Sequence, residues 1–290
     1  MLFRSSKWIR DGAVWPGRPA KFVAERHWAF EPLGHPAVPE VKDNAWNRSS
    51  IDRFILQRQE AANLRPASVA DKPTWIRRAT LDLTGLPPTA DEIEEFLADE
   101  SPDAFEVVVD RLLRSRAYGE HWGRHWLDVV RYADTAGETA DYPAPHAWRY
   151  RNYVVDSLNA DLPYDQFVRE QIAGDVLATR RPDPRYGEQI KATGYLAISR
   201  RFGFDSENYH HLTIQDTIDT LGQSILGLSL GCARCHDHKF DPVTMQDYYG
   251  LFGIFDSSRY PFPGSEQKQK IRSLAPLVPA AEVHSRWREH

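Results

Sequence analysis

Sulfur-containing residues are scarce in this chain. Its 290 residues include two cysteines and two methionines. A protein of this length with so few cysteines is not a small scaffold held by several disulfides, so its stability must come from a hydrophobic core. Hydrophobic residues make up 41% of the chain, and nine tryptophans are among them. The composition therefore predicts a globular protein with one large domain or two small ones.

Several sequence patterns are also missing. No apolar run approaches the ~18 residues that cross a bilayer, so no membrane span is expected. The formal net charge is -5 and no basic block stands out, which argues against a nucleic-acid partner. No alternating pattern is long enough to predict a sheet, and no repeat with a period of about 20 to 50 residues is present.

Apolar residues instead recur at helical spacing along most of the chain. Recognisable helix starts occur at Ser49 or Ser50, at Pro73, and at Thr89 with its capping box. A long helix is expected over residues 213–230, and a last helix is expected to start at Asp241-Pro242. The predicted fold class is mainly α, an irregular multi-helix domain with long proline-rich loops, because 20 prolines punctuate the pattern.

Both cysteines lie in one short segment. Two residues separate Cys232 from Cys235, and His236 follows directly, which is the C-x-x-C-H pattern of covalent haem attachment. Two thiols one helical turn apart can each form a thioether with a haem vinyl group, and the next residue then lies beneath the iron as its proximal ligand. The segment therefore predicts haem c as the cofactor of this chain.

Two other chemistries use the same residue types. The first is a zinc site built from Cys232, Cys235, His236 and His238. Structural zinc usually draws its ligand pairs from separated segments, whereas these four lie within seven residues. The second is a redox disulfide, although thioredoxin-like motifs lie in a βαβ context that this sequence lacks. Either chemistry would make the chain a non-haem interaction module.

The distal iron ligand is less clearly marked than the proximal one. His125 is the first choice, because it lies four residues after His121 and shares a helical face with it. Met245 is the second choice, although it lies only nine residues after His236. His238 is expected to support the turn or to bind a propionate. The remaining candidates for the distal position are His146, His210 and His211.

Many segments of the chain resemble the planctomycete-type cytochrome c domain family of unknown function, whose members are large secreted bacterial proteins. The resemblance covers roughly residues 27 to 270. It is carried by HWAF (27–30), IDRFI (51–55), RATLDLTGLPPT (78–89), YGEHW (118–122), RHWLD (124–128), AWRYR (147–151), YDQF (164–167), Gly231-Cys232 and Asp241-Pro242.

The resemblance implies a domain organisation. Residues 1–26 are expected to be the tail of a preceding cytochrome c-like domain or an arm. Residues 27–256 are expected to form the helical cytochrome c-type domain, and residues 257–290 a linker towards a C-terminal domain that is missing from the chain. The first 20 residues of the chain show no apolar segment typical of a signal peptide. A signal upstream of it is expected, with a periplasmic or extracellular location.

The resemblance also implies a function. We expect a c-type haem domain that transfers electrons in connection with extracellular carbohydrate breakdown. Its partners would be a redox protein or neighbouring domains of the same polypeptide, and a polysaccharide could bind at the acidic and aromatic segment 134–153. An alternative is a haem enzyme that oxidises carbohydrate at an open distal iron site. A protein ligand at that site favours electron transfer instead.

Overall fold

A computed structural model describes residues 27–43, 46–137, 141, 143–180, 184–202, 208–260 and 274–286. The chain divides into two compact units, residues 1–69 and residues 70–290. The described residues are mainly helical and contain no strand, only an isolated bridge between Thr135 and Pro143. The prediction of a mainly α fold is thereby confirmed. The predicted arm, residues 1–26, lies outside the described residues.

The smaller unit contains a short 3-10 helix, Trp28–Phe30, and helix α1, Ser50–Ala61. Ser49, one of the two predicted caps, is the N-cap of α1, and it forms a capping box with Asp52. The extended segment before the helix is tied to its far end, because the backbone N–H groups of Lys42 and Asp43 donate to Glu60 Oε1 at 2.8 and 3.2 Å.

The larger unit contains helices α2 to α12. Their bounds are α2 Lys72–Thr84, α3 Ala90–Ala98, α4 Ala104–Leu113, α5 Arg116–Val129, α6 Ala147–Asn159, α7 Tyr164–Arg180, α8 Tyr186–Ala192, α9 Gly194–Ala197, α10 His210–Leu221, α11 Met245–Asp256 and α12 Ala280–Arg286. Pro73 lies in the first turn of α2, and Thr89 caps α3 through a capping box with Glu92. Both helix starts were predicted.

Among the described residues of this unit, the buried side chains form three clusters. The first joins α2, α3 and α4. The second joins α6 to α9 with the end of α5, and the third joins α10 and α11 with the segment between them. The clusters are centred on Ile76 and Phe96, on Tyr153 and Phe167, and on Ile218 and Tyr248. The third cluster is the one that carries both cysteines on its surface.

The helix expected over residues 213–230 is shorter than predicted. Helix α10 ends at Leu221, a π-helical turn spans Gly222–Leu226, and Gly227 follows in the left-handed conformation with φ 66°. The reason is tertiary: the chain folds back so closely that a Cβ on Gly222 would lie 2.6 Å from Leu230 Cγ. The last expected helix, α11, also starts later than predicted, at Met245, because Thr244 caps it through a capping box.

Candidate functional site

Cys232 lies in a short 3-10 turn, Gly231–Arg234, and Cys235 follows as its C-cap. The backbone N–H of Cys235 donates to the carbonyl of Cys232 at 3.3 Å. A 3-10 helix has three residues per turn, so side chains three positions apart lie above one another. Ala233 points inward and is fully buried in the third core cluster. Both thiols are consequently exposed, and neither forms a disulfide.

Helices α10 and α11 fix the turn from both ends. The hydroxyl of Tyr249 donates to the carbonyl of Arg234 at 3.1 Å, and Arg234 itself donates to Gln215 on α10. The backbone N–H of Met245 donates to Asp237 Oδ1 at 2.8 Å, which ties the start of α11 to the residue after His236. Hydrogen bonds to both helices therefore hold the turn that carries the cysteines.

His236 has one ring nitrogen engaged and the other free for a ligand bond. Its side chain is exposed, and Nδ1 lies 2.8 Å from the backbone carbonyl of Asp237. A carbonyl oxygen only accepts hydrogen bonds, so Nδ1 is the donor, and in the neutral imidazole this leaves the lone pair on Nε2. Histidines that bind metals usually have this arrangement, since the donated hydrogen bond fixes the tautomer and the ring orientation.

His238 has a different hydrogen-bond pattern and a structural role. Its Nδ1 accepts from the backbone N–H groups of Asp241 at 2.8 Å and Phe240 at 3.3 Å, and the side chain is 9% exposed. The imidazole therefore supports the turn after the motif, which was one of its two predicted roles. Among the described residues, no group of three or more His, Cys, Asp or Glu is arranged to hold a metal ion. The zinc alternative gains no support from this geometry.

His125 lies on α5 and is exposed. Its ring centroid is 5.2 Å from that of His121 and 5.5 Å from that of Trp122, so the two histidines share a face as predicted. His121 is covered by Gly85, where a Cβ would lie 2.4 Å from its Nδ1. Of the two histidines, His125 is the more exposed.

A cleft of about 400 Å³ opens beside His125. Trp122, Trp126 and Val129 of α5 form one wall, and residues of α6 and α7 form the opposite side. Ser224, from the π-helical turn that precedes the cysteines, completes the lining. The cleft is therefore built from elements that are far apart in the sequence, and spacing alone did not predict it.

The other predicted ligands lie at scattered positions. Met245 is the first residue of α11, and its side chain is exposed. His146 and His211 are exposed at the starts of α6 and α10. His210 is partly buried against Tyr260, with ring centroids 5.2 Å apart, and burial lowers its pKa. Of these residues, Met245 is hydrogen-bonded to the segment that contains His236, through Asp237.

The comparisons with known proteins give one match. The PSCyt2 family model, described as a protein of unknown function (DUF1549), matches residues 50–260, which is more than half of the chain. The chain belongs to the PSCyt2 family. This is a planctomycete cytochrome c-like family of unknown function. No match to this PSCyt2 chain was found among curated proteins or solved structures. The matched residues include the cysteine turn and the whole cleft.

Two buried oxygen atoms beside the turn were not expected from the sequence of this PSCyt2 chain. Asp219 Oδ1 and the Tyr248 hydroxyl are buried and have no hydrogen-bond partner in the described part of the chain. Burial raises the pKa of both groups. A Cβ on Gly231 would lie 2.8 Å from Asp219 Oδ1, so glycine allows this close approach. Asp219 and Tyr248 are far apart in the sequence, so the sequence did not predict that both would lie beside the turn.

The acidic segment of this PSCyt2 chain, considered earlier for carbohydrate, is only partly described. The hydroxyl of Tyr132 donates to Asp134, and Asp141 Oδ1 accepts from the backbone N–H of Gly137 at 3.0 Å. Glu138 lies outside the described residues. The described carboxylates are thus engaged within their own loop. No helix in the described ranges combines the length and hydropathy that a transmembrane span requires.

Proposed function

We propose that this PSCyt2 domain binds haem c covalently through Cys232 and Cys235, with His236 as the proximal iron ligand, and that it transfers electrons. The observation that carries the proposal is a pair of exposed cysteines three positions apart at one 3-10 turn, followed by an exposed histidine whose Nδ1 is hydrogen-bonded to a backbone carbonyl. A scattered or buried pair of cysteines could not form both thioethers with one porphyrin.

The residues around the motif fit this group. Ala233 anchors the turn in the core and leaves the thiols facing outward, so a haem can reach them. The carbonyl of Asp237 holds the His236 ring in the tautomer that ligates through Nε2. Haem, when bound, supplies one-electron chemistry at its iron, and the protein sets the reduction potential through the axial ligands, nearby charge and burial.

The cellular setting is part of the same proposal. We place the domain, residues 27–256, in a larger exported bacterial protein of the periplasm or cell exterior, with residues 257–290 as a linker. A redox protein or a neighbouring domain of the same polypeptide is the electron partner. Extracellular carbohydrate breakdown is the process that the electrons serve, and a polysaccharide is the further partner.

Covalent haem attachment has a direct test. The protein is exported from cells that carry haem attachment machinery, and its intact mass and visible spectrum are measured. We expect the mass of one added haem and a Soret band that persists after denaturation. Replacing both Cys232 and Cys235 by Ala is expected to abolish both signals completely, because no thioether can form. Lys239→Ala, an exposed change in the same segment, is the control and keeps both.

A colourless wild-type protein would contradict the proposal, provided that the same cells load another c-type cytochrome. Free thiols, a disulfide or bound zinc in that colourless sample would point to the interaction module instead. Elemental analysis and thiol titration distinguish these three outcomes.

The distal ligand decides between electron transfer and catalysis. His125 is our first choice and Met245 our second, and an open distal position would favour the haem enzyme. We expect His125→Ala to convert low-spin iron to high-spin iron, since the iron loses one of its two strong-field ligands. The absorption spectrum of the reduced protein measures the change, and His35→Ala is the control. An unchanged spectrum excludes His125, and a change in Met245→Ala alone assigns Met245.

A further inference from the structure

The cleft beside His125 is suited to a flat apolar molecule. Trp122 and Trp126 of α5 and Phe167 of α7 supply aromatic faces, and the described residues that line the cleft include no Asp, Glu, Lys or Arg. A porphyrin ring is flat and largely apolar, and its burial against aromatic side chains is favourable. Ligand pockets in proteins typically have this composition, with a few polar groups that orient the ligand.

Close packing joins the cleft to the cysteine turn. Ser224 lines the cleft and is held in place, since its hydroxyl donates to the carbonyl of Thr220 at 2.6 Å. Two residues before Ser224, Gly222 lies directly against Leu230, two residues before Cys232. Packing therefore connects the Ser224 side of the cleft to the segment that leads into the cysteine turn.

Apolar side chains are exposed around the opening of the cleft. Val129 is 49% exposed and Trp122 is 39% exposed, and both line the cleft. Adjacent exposed apolar side chains around a concave surface indicate a binding site. His125 lies at the same opening and has an exposed imidazole, which is a suitable axial ligand for iron.

We infer that this cleft is the surface against which the porphyrin ring lies, with Val129 at its edge. The inference rests on the proposed haem attachment and deepens it, because it assigns the side chains that surround the ring. Charge placed at Val129 would then act directly on the iron, since nearby charge is one of the factors that set the potential of a haem.

A pair of opposite charges tests the assignment. We compare Val129→Glu with Val129→Lys in exported, haem-loaded protein and measure the reduction potential by titration. The glutamate is expected to lower the potential, because it stabilises the more positive oxidised iron, and the lysine is expected to raise it. The matched control is Val107 on α4, which is 53% exposed and does not line the cleft. Val107→Glu and Val107→Lys are expected to leave the potential unchanged.

The two proposals fail in different ways. Covalent haem together with equal potentials in all four variants would show that the ring lies elsewhere, and the attachment proposal would stand. Shifts of the same sign for glutamate and lysine at Val129 would indicate a structural disturbance and would also overturn the inference. A wild-type protein without covalent haem overturns both proposals.

Discussion

Arg185→Ala is expected to lower the free energy of unfolding by about 3 kcal/mol, because it leaves a buried carboxylate without its cation. The carboxylate belongs to Glu170 on α7, whose side chain is 0% exposed. The Arg185 guanidinium donates to both of its oxygens, from Nε to Oε1 at 3.2 Å and from Nη2 to Oε2 at 2.9 Å. Breaking a buried pair by removing one partner costs far more than breaking an exposed pair.

The side chains around Glu170 cannot easily compensate for the loss of Arg185. Tyr153 donates to Oε2 and Gln166 donates to Oε1, each at 2.9 Å, so both side chains are arranged for an ionised carboxylate. Burial, followed by the charge of Glu170, raises the pKa of Tyr153, which keeps its hydroxyl a hydrogen-bond donor. Arg185 is itself 35% exposed, so water can enter where it is removed, and we place the cost at the low end of the range for buried pairs.

The same helix offers a matched control. Asp165 and Arg169 form an exposed pair on α7 at 3.0 Å, with side chains that are 64% and 70% exposed. Arg169→Ala is expected to change stability by no more than about 0.5 kcal/mol. Arg185→Lys keeps the charge but loses the two-point contact, so an intermediate cost is expected. Urea unfolding followed by circular dichroism measures all three variants, and equal costs for Arg185→Ala and Arg169→Ala would show that Glu170 is not buried as described.

Helix starts were predictable because their chemistry is local. Ser49 and Thr89 each bond to the backbone three residues ahead, and the acidic residue at that position bonds back. A sequence pattern of four residues therefore contains the whole interaction. The end of α10 was not predictable in this way. It depends on Leu230 packing against Gly222, a contact that exists only after the chain has folded back.

The candidate site was likewise predictable only where its residues are close in the sequence. The spacing of Cys232, Cys235 and His236 could be recognised in the sequence because the three residues lie within five consecutive positions. The tautomer of His236 and the inward position of Ala233 required the structure. The Glu170 cluster was not predicted, because its donors come from α6, from α7 and from the residue before α8. The cleft was not predicted, because only its α5 residues are close in the sequence and the rest of its lining comes from other elements.

Gly174→Ala is expected to lower the free energy of unfolding by about 2 kcal/mol, the net of overpacking and helix propensity. A Cβ at this position would lie 2.0 Å from the backbone oxygen of Gln189 on α8 and 2.9 Å from its carbonyl carbon. Backbone atoms cannot rotate away as a side chain can, so α7 and α8 must separate. Helix α7 is kinked one residue earlier, at Ala173 with φ -140° and ψ 30°, where the two helices approach.

The sign of the change in the free energy of unfolding decides this test. Alanine is favoured over glycine inside a helix by about 1 kcal/mol, so Gly174→Ala would stabilise an isolated α7. Gly250 provides the comparison, because it lies inside α11 and a Cβ there meets nothing within 4 Å. Gly250→Ala is therefore expected to raise stability by about 0.5–1 kcal/mol. If urea unfolding shows that both alanines stabilise the protein, the close contact between α7 and α8 does not exist, whereas opposite signs establish it.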